Sequence, residues 1–258
     1  MEISNTPNLI LSSYFFQVFH HPEKEIYIPK DDFNVIKNLY TKISETWKNE
    51  VDVRIFHDGL SSEFIERYSK KWLKFIYIDT SEYDISPRDI RLHVAAEFMR
   101  QNPQWEKVFI VDSLTVKCIS NPFNALQHNI NSLFIASEKK KLVSYSMFRS
   151  KLEKIGIEIE YEHYEELKNR LTLNSDIMGG HRNTLIPFIE KYCYLFEKLH
   201  DTFVKHNNGG FSIRNNMIAI NYVSLFYDNI LTERPLHITN RKYQMTGNSD
   251  GILMFTFN

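Results

Sequence analysis

Several polar residues stand where apolar segments of the chain end, which is where side chains that do chemistry are often found. Asp112 directly follows the apolar run KVFIV, and Asp58 follows the apolar run of residues 51–57. Ser12 and Ser13 lie near the end of a third apolar run. A carboxylate at the end of a buried strand needs a compensating partner. Asp112 is therefore the first candidate for a ligand-binding residue, with capping of a helix or turn as the alternative.

Two arginines form a second candidate group. Arg88 and Arg91 are three residues apart on a helix that Pro87 is expected to open, so they share one helix face. Guanidinium groups bind phosphates and carboxylates through paired hydrogen bonds. The alternative is a surface salt-bridge cluster with Asp89.

The elements that must position these residues alternate between strand and helix. Apolar runs predict buried strands at residues 8–16, 51–57, 73–78 and 107–111. Apolar positions three and four apart predict helices at residues 31–47, 61–72 and 86–101, the first capped by Asp31 or Asp32. This alternation predicts an α/β fold, with a mostly parallel sheet and helices on both faces. In such sheets ligands bind beyond the carboxyl ends of the strands.

The second half of the chain is less regular. We expect a strand at residues 131–137, a solvated turn at the charged residues 138–141, and an exposed strand or crossover at 155–161. Residues 171–178 precede Gly179 and Gly180. Helices are predicted at 184–205 and 215–227, and short strands at 236–239 and 252–257.

Composition excludes several classes of protein. The 258 residues are 43% hydrophobic and carry a net charge of −1, which suits a globular protein and argues against a nucleic-acid binder. No apolar run approaches the ~20 residues that span a bilayer, and the first residues lack the basic start of a signal peptide, so we expect a cytoplasmic location. The phosphate-loop, nucleophile-elbow, zincin and dinucleotide-binding motifs are absent from the sequence.

Six sequence blocks resemble one family. Residues 108–123 (VFIVDSLTVKCISNPF) place an Asp at a strand end before an Asn-Pro-Phe turn; residues 173–180 (LNSDIMGG) and 215–222 (NNMIAINY) follow. Upstream, ILSSY, IFHDGLS and RDIRL fit in the same order. Together they resemble nucleotide-sugar-dependent glycosyltransferases of the GT-A fold. The resemblance covers nearly the whole chain and implies one domain, with residues 1–123 as the nucleotide-binding half and 124–258 as the acceptor half.

The resemblance implies an activity and a set of site residues. The donor would be a UDP- or GDP-linked sugar, the acceptor a glycan or glycoconjugate, and the cofactor Mn²⁺ or Mg²⁺ held by Asp112. The implied donor-binding residues are Ser12, Ser13, Tyr14, Asp58, Arg88, Arg91, Asp112, Ser113, Gly179, Gly180 and His181. The implied catalytic residues are Asp176 and Asn216.

Each implied role has an alternative. Tyr14 would stack on the base or pack in the core, and Ser113 would bind the nucleotide or its own turn. Asp176 would act as a general base or hold sugar hydroxyls. Gly179 and Gly180 would let the backbone approach the sugar, or form a plain turn into the helix.

Two more implied roles concern the second half of the site. His181 would reach the diphosphate or the acceptor. Asn216, in place of the Asp that the family commonly has, would line the site or cap a helix.

Departures from the family pattern leave metal dependence open. The second acid of the motif is replaced by Thr115, the residue after Asn216 is Met217, and the chain ends ILMFTFN without the family's His-Lys pair. These losses favour an alternative, a catalytically silent relative that binds nucleotide sugar or glycan. A sugar nucleotidyltransferase is a third hypothesis, but ILSSYFFQVFHH lacks the Gly-rich basic loop typical of such enzymes.

Overall fold

Strands and helices alternate along the chain. The computed structural model describes residues 6–16, 28–83, 85, 87–113, 116–118, 120–127, 130–141, 145–169, 171–206, 215–231 and 255–257. The strands are β1 (Asn8–Tyr14), β2 (Asp52–His57), β3 (Leu73–Tyr77), β4 (Lys107–Val111), β5 (Val116–Cys118), β6 (Leu133–Lys141), β7 (Leu171–His181), β8 (Ile230–Leu231) and β9 (Phe255–Phe257). The α-helices are α1 (Lys37–Thr46), α2 (Ser62–Tyr68), α3 (Pro87–Gln101), α4 (Tyr145–Lys154), α5 (Tyr161–Asn169), α6 (Arg182–His206) and α7 (Asn215–Ser224), and 3-10 helices cover Phe33–Val35 and Pro122–Gln127.

The main sheet has seven strands in the order β3-β2-β1-β4-β7-β6-β8. The first four are parallel, β7 is antiparallel to both β4 and β6, and β8 is parallel to β6. Strands β5 and β9 form a separate antiparallel pair. The predicted α/β class and mostly parallel sheet are confirmed.

Helices cover both faces of this sheet. Val108 and Ile110 of β4 belong to the core that α3, α6 and α7 complete, whereas Phe109 and Val111 belong to the core that α1 and α2 complete. This division follows from the alternation of side chains along a strand. The two-sided covering explains why the strands of the first half read as continuous apolar runs.

Caps fix the first two helical segments. Asp32 caps the 3-10 helix before α1, because its Oδ1 accepts from the Asn34 N–H at 2.9 Å. Asp31 has a positive φ of 58° and accepts from the Ser61 N–H at 2.9 Å. Of the two predicted caps, Asp32 is therefore the cap, and Asp31 joins this segment to the start of α2.

The prediction of a turn at residues 138–141 was wrong, since β6 continues to Lys141. Strand β8 pairs only with Leu133 and Phe134. The rest of β6 lacks β8 as a neighbour on that side, and such a strand edge accommodates charged residues.

The prediction at residues 155–161 was also wrong. Helix α4 ends at Lys154, and Gly156 adopts a φ of 78°, the left-handed conformation that commonly terminates a helix. The N–H of Ile157 bonds back to the Leu152 carbonyl at 2.9 Å. The alternating apolar residues form a linker that packs isoleucines on the core, and Tyr161 then starts α5.

The predicted helices of the last third are confirmed as α6 and α7. Helix α6 is 25 residues long, and its buried stripe packs against α3 and α7. Across the part of the chain described, none of the helices has both the length and the low polarity needed to cross a membrane. Strand β9 lies within the predicted segment 252–257, whereas the predicted strand at 236–239 is outside the described residues.

Gly179 is predicted to be irreplaceable, because β7 passes directly under the ring of Phe109. A Cβ built on Gly179 would lie 2.2 Å from two ring carbons of Phe109. We expect Gly179→Ala to lower the free energy of unfolding by about 1–3 kcal/mol, measured by urea titration. Adding Phe109→Leu should recover part of the loss by opening space.

Gly156→Asn is the matched control, since a Cβ there would meet nothing within 4 Å and asparagine tolerates a positive φ. Equal losses from Gly179→Ala with and without Phe109→Leu would contradict the packing explanation.

Candidate functional site

The strand order places a crevice between β1 and β4. From β1 the chain winds outward through β2 and β3, and α3 then carries it back to the other side of β1, where β4 pairs. The connection after β1 therefore runs to one side of the sheet, and the connection after β4 runs to the other. A crevice outside the carboxyl ends of the strands at such a switch point is the usual ligand site of open α/β sheets.

Two serines hold the edges of this crevice together. The β1–β4 register ends at Leu11 and Ile110. Beyond it the Ser12 hydroxyl donates to the Val111 carbonyl and the Ser113 hydroxyl donates to the Ser13 carbonyl, both at 2.8 Å. Side-chain hydrogen bonds therefore continue the ladder past its last backbone pair. Donor binding by these serines stays a prediction.

Asp112 and Asp176 lie opposite each other at the same edge. The Asp112 N–H donates to the Asp176 carbonyl at 2.9 Å, which extends the β4–β7 pairing by one residue beyond Val111 and Ile177. Directly opposed residues of antiparallel strands lie on one face with Cβ atoms about 5 Å apart. Each residue is about 5% exposed. The two residues are 64 positions apart in the sequence, so the sequence suggested each one separately and not their pairing.

A buried arginine lies against this pair. The Arg91 Nη1 is 3.8 Å from Asp112 Oδ2, and its Nη2 donates to the Ser175 carbonyl at 2.9 Å. The side chain is 1% exposed, and among the residues that the structure describes its Nε has no hydrogen-bond partner. Arg91 is thus held on α3 as a fixed positive charge beside Asp112. Arg88 also lies in α3, but its side chain is outside the described residues, as is Thr115.

Asp58 and His57 fix the loop beyond β2. The Asp58 carboxylate accepts from the Phe16 N–H at 3.1 Å and so holds the chain as it leaves β1. The His57 Nδ1 accepts from the Leu60 N–H at 3.2 Å. Burial lowers the pKa of His57, while the neighbouring Asp58 acts in the opposite direction. The ring is therefore neutral, with its proton on Nε2.

Tyr14 is a core residue that holds a loop. Its hydroxyl donates to the Pro29 carbonyl at 2.5 Å and accepts from the Asp32 N–H at 2.8 Å. Its ring is 1% exposed and meets Phe16 and Phe64 edge-on. Burial raises the pKa of Tyr14 to about 12. This placement favours core packing over base stacking.

His181 and the two glycines lie away from the crevice. Since β7 runs antiparallel to β4, Asp176 reaches the carboxyl end of β4 but His181 pairs with Lys107 at its amino end. Five residues of strand separate those positions, about 16 Å. The structure thus does not bring His181 together with Asp112 and Asp176; its Nε2 is 3.3 Å from the Leu126 carbonyl. A role of His181 at the diphosphate or the acceptor stays a prediction.

Gly179 and Gly180 are interior residues of β7 and not a turn. The Phe109 ring occupies the space above Gly179, and the Ser132 carbonyl and Leu133 crowd Gly180. This packing gives both glycines a structural reason to lack a side chain, and donor binding by them stays a prediction.

Helix α7 is tied to the start of β7 by an asparagine that sequence reasoning missed. The Asn221 Oδ1 accepts from the Leu173 N–H at 2.9 Å, and its Nδ2 donates to the Met217 carbonyl at 2.7 Å. Asn216 lies in the first turn of this helix, half-buried, with its Oδ1 accepting from the Met217 N–H at 2.8 Å. Its catalytic role stays a prediction.

Comparison with known proteins supplies the name of the fold. No family model and no curated protein sequence matches this chain. A solved structure of an active-site mutant of LgtC covers 96% of this chain and 86% of its own, with 10% identity and a TM-score of 0.55. The galactosyltransferase LgtC in complex with donor and acceptor sugar analogs covers 88% of this chain and 73% of its own, with 12% identity and a TM-score of 0.49.

The chain has the GT-A fold. Its switch point, between β1 and β4, carries Asp112 at the tip of β4, as the resemblance of the sequence to GT-A enzymes implies.

GT-A enzymes commonly use a divalent metal. The side chains at this site are a poor set of ligands for such an ion. Among the residues described, no group of three or more His, Cys, Asp and Glu side chains could hold a metal ion. Mg²⁺ and similar hard cations require several oxygen ligands. The two opposed carboxylates supply part of such a set, but the Arg91 guanidinium already lies against Asp112.

The Tyr14 hydroxyl is predicted to stabilise the fold at this edge. Tyr14→Phe keeps the ring but leaves the Pro29 carbonyl and the Asp32 N–H without their shared partner. We expect a loss of about 1–3 kcal/mol in the free energy of unfolding, measured by urea titration. Tyr77→Phe, at a side chain 62% exposed, is the control and should change little. Unchanged stability of Tyr14→Phe would contradict the structural role.

His57 is predicted to make stability pH-dependent. Because the folded-state pKa is lowered, the unfolded chain binds a proton at higher pH than the folded chain does. The contribution of neutral His57 is therefore present above the ordinary pKa of about 6.5 and is lost as the pH falls through the folded value. His57→Asn, which keeps an acceptor but cannot be protonated, should flatten the fall in stability between neutral and mildly acidic buffer.

Half-buried His93, whose pKa is also lowered by burial, should keep a residual slope in that variant. His163→Asn, at a side chain 41% exposed, is the matched control. An unaltered slope in His57→Asn would show that the His57–Leu60 bond does not control acid stability.

Proposed function

We propose that this chain is a glycosyltransferase that moves a hexose or pentose from a UDP- or GDP-linked donor onto a glycan or glycoconjugate. One observation carries the proposal: the GT-A sheet brings Arg91, Asp112 and Asp176 together at its switch point. A cation and two carboxylates are the groups needed to bind a diphosphate and to receive a proton from a hydroxyl. LgtC, with the same fold, is a galactosyltransferase.

The donor's nucleoside lies, in this proposal, over the carboxyl ends of β1 and β2, within the half of the chain formed by residues 1–123. Ser13 is half-buried there, and Asp58 orients the chain at Phe16. The diphosphate follows toward the tip of β4. Residues 124–258 supply Asp176 and α7, which lie on the acceptor side.

The transfer needs one proton acceptor and one stabilised leaving group. The acceptor hydroxyl oxygen bonds to the anomeric carbon, and its proton passes to the Asp176 carboxylate. The bond from the anomeric carbon to the diphosphate oxygen breaks, and the nucleoside diphosphate leaves with that electron pair. Preorganised positive charge at Arg91 stabilises the departing oxygens in a site from which water is largely excluded. In this proposal the Asn216 amide binds a sugar hydroxyl.

Asp176→Asn tests the catalytic assignment. This change keeps the shape of the side chain but removes the proton acceptor. We expect donor binding to survive within about threefold and the release of free nucleotide from the donor to fall by about 10²–10⁴-fold. The measurement is nucleotide release from a panel of UDP- and GDP-sugars, with Asp201→Asn on the exposed face of α6 as the control.

Two results would contradict the proposal. Donor binding without any hydrolysis or transfer by the wild-type protein would favour a catalytically silent relative, which the replacement of the second motif acid by Thr115 makes a specific alternative. Full activity of Asp176→Asn would remove Asp176 from the chemistry.

A further inference from the structure

The carboxylate that the GT-A motif offers to a metal is already paired with a cation. Asp112 Oδ2 lies 3.8 Å from the Arg91 Nη1, and the two side chains are 7% and 1% exposed. A charge pair that is removed from water is far less screened than one on the surface. A divalent cation bound at Asp112 would therefore sit beside a fixed positive charge that repels it.

The Arg91 guanidinium is held in place by a hydrogen bond and by burial. Its Nη2 donates to the Ser175 carbonyl at 2.9 Å, next to Asp176. The remainder of Arg91 is enclosed by the core between α3 and the sheet. The positive charge is thus part of the fold and does not depend on a bound ion.

One atom of this arginine still lacks an acceptor. Arg91 Nε is buried and has no hydrogen-bond partner within the described part of the chain. Buried donors are almost always satisfied, and an exception calls for an explanation such as a ligand. An N–H donor indicates an oxygen-bearing ligand, and a guanidinium indicates an anionic one.

We infer that Arg91 takes the place of the divalent metal, so that this chain binds the diphosphate of its donor without Mn²⁺ or Mg²⁺. The inference rests on the proposed function. Arginine matches phosphate oxygens through paired N–H groups. It lies at the switch point, beside the tip of β4, where the GT-A resemblance places the diphosphate. Asp112 then orients the guanidinium instead of ligating a metal.

The test measures the affinity of the wild-type protein for UDP, GDP, UDP-glucose, UDP-galactose and GDP-mannose by calorimetry. Each titration is run in EDTA, in Mg²⁺ and in Mn²⁺. We expect at least one of these compounds to bind with dissociation constants that agree within about twofold across the three conditions. Arg91→Lys, which keeps the charge but loses the paired donors, should weaken that binding about tenfold in EDTA.

Arg91→Met gives a second prediction of opposite sign. Without the guanidinium, Asp112 and Asp176 lose their fixed counter-ion, and Mn²⁺ should now strengthen donor binding relative to EDTA. Arg54→Met is a closely matched control, because Arg54 forms a 3.8 Å pair with Asp52, a residue at the amino end of β2. Arg54→Met should leave donor affinity unchanged. Circular dichroism checks that each variant is folded, and the wild-type comparison does not depend on any variant.

The outcomes separate this inference from the proposed function. Binding by the wild-type protein only with Mn²⁺ or Mg²⁺ would overturn metal independence but would leave a nucleotide-sugar site, with Asp112 and Asp176 as the metal's ligands. An absence of binding in all three conditions would overturn both. If the wild-type protein binds equally well in EDTA, Mg²⁺ and Mn²⁺ but Arg91→Lys does not weaken that binding, a basic side chain other than Arg91 binds the diphosphate, and the inference about Arg91 is wrong.

Discussion

The site depends on one electrostatic constraint, the compensation of two carboxylates that the sheet forces together. Asp112 and Asp176 are opposed in an antiparallel pair and nearly removed from solvent. Carboxylates that are removed from water need compensating positive charge or hydrogen bonds. Arg91 supplies positive charge from α3, and its second nitrogen binds the backbone beside Asp176. The packing of α3 on the sheet therefore also supplies the positive charge that compensates Asp112 and Asp176.

The rest of the edge is held by hydrogen bonds from side chains to backbone. Ser12 and Ser113 join the ends of β1 and β4 after their ladder stops, and Asp58 fixes the chain beyond β1. Tyr14 anchors the segment near Pro29. Each of these residues was a candidate ligand by its type and position. The structure shows that they tie neighbouring backbone segments together, and such ties help to hold a small number of reacting groups at fixed distances.

The sequence predicted the part of the fold whose signals are local. Continuous apolar runs, the Asp32 cap and the Pro87 helix start identified the first half, because strands covered on both faces and capped helices leave such patterns. The charged end of β6 was predicted to be a turn. In the structure it is a strand that β8 does not pair with on that side, and an edge strand need not be apolar. The linker after α4 was predicted to be an exposed strand or a crossover, because its isoleucines alternate with polar residues. In the structure these isoleucines pack on the core.

The composition of the site was harder to predict than the fold, for a physical reason. Strand direction is not encoded in hydrophobic periodicity, and the antiparallel direction of β7 decides which of its residues reach the crevice. It brings Asp176 to Asp112 and takes His181 to the opposite edge. The motif block suggested that Asp176, Gly179, Gly180 and His181 act together. The direction of the strand brings only Asp176 of these four beside Asp112.

The most direct test of the account is a crystal structure of the protein with UDP or the best-binding nucleotide sugar. The account predicts that the diphosphate lies beyond the carboxyl ends of β1 and β4, with a phosphate oxygen within hydrogen-bonding distance of the Arg91 guanidinium. A nucleotide bound at the amino edge of the sheet, near His181, or one whose phosphates do not contact Arg91, would contradict it.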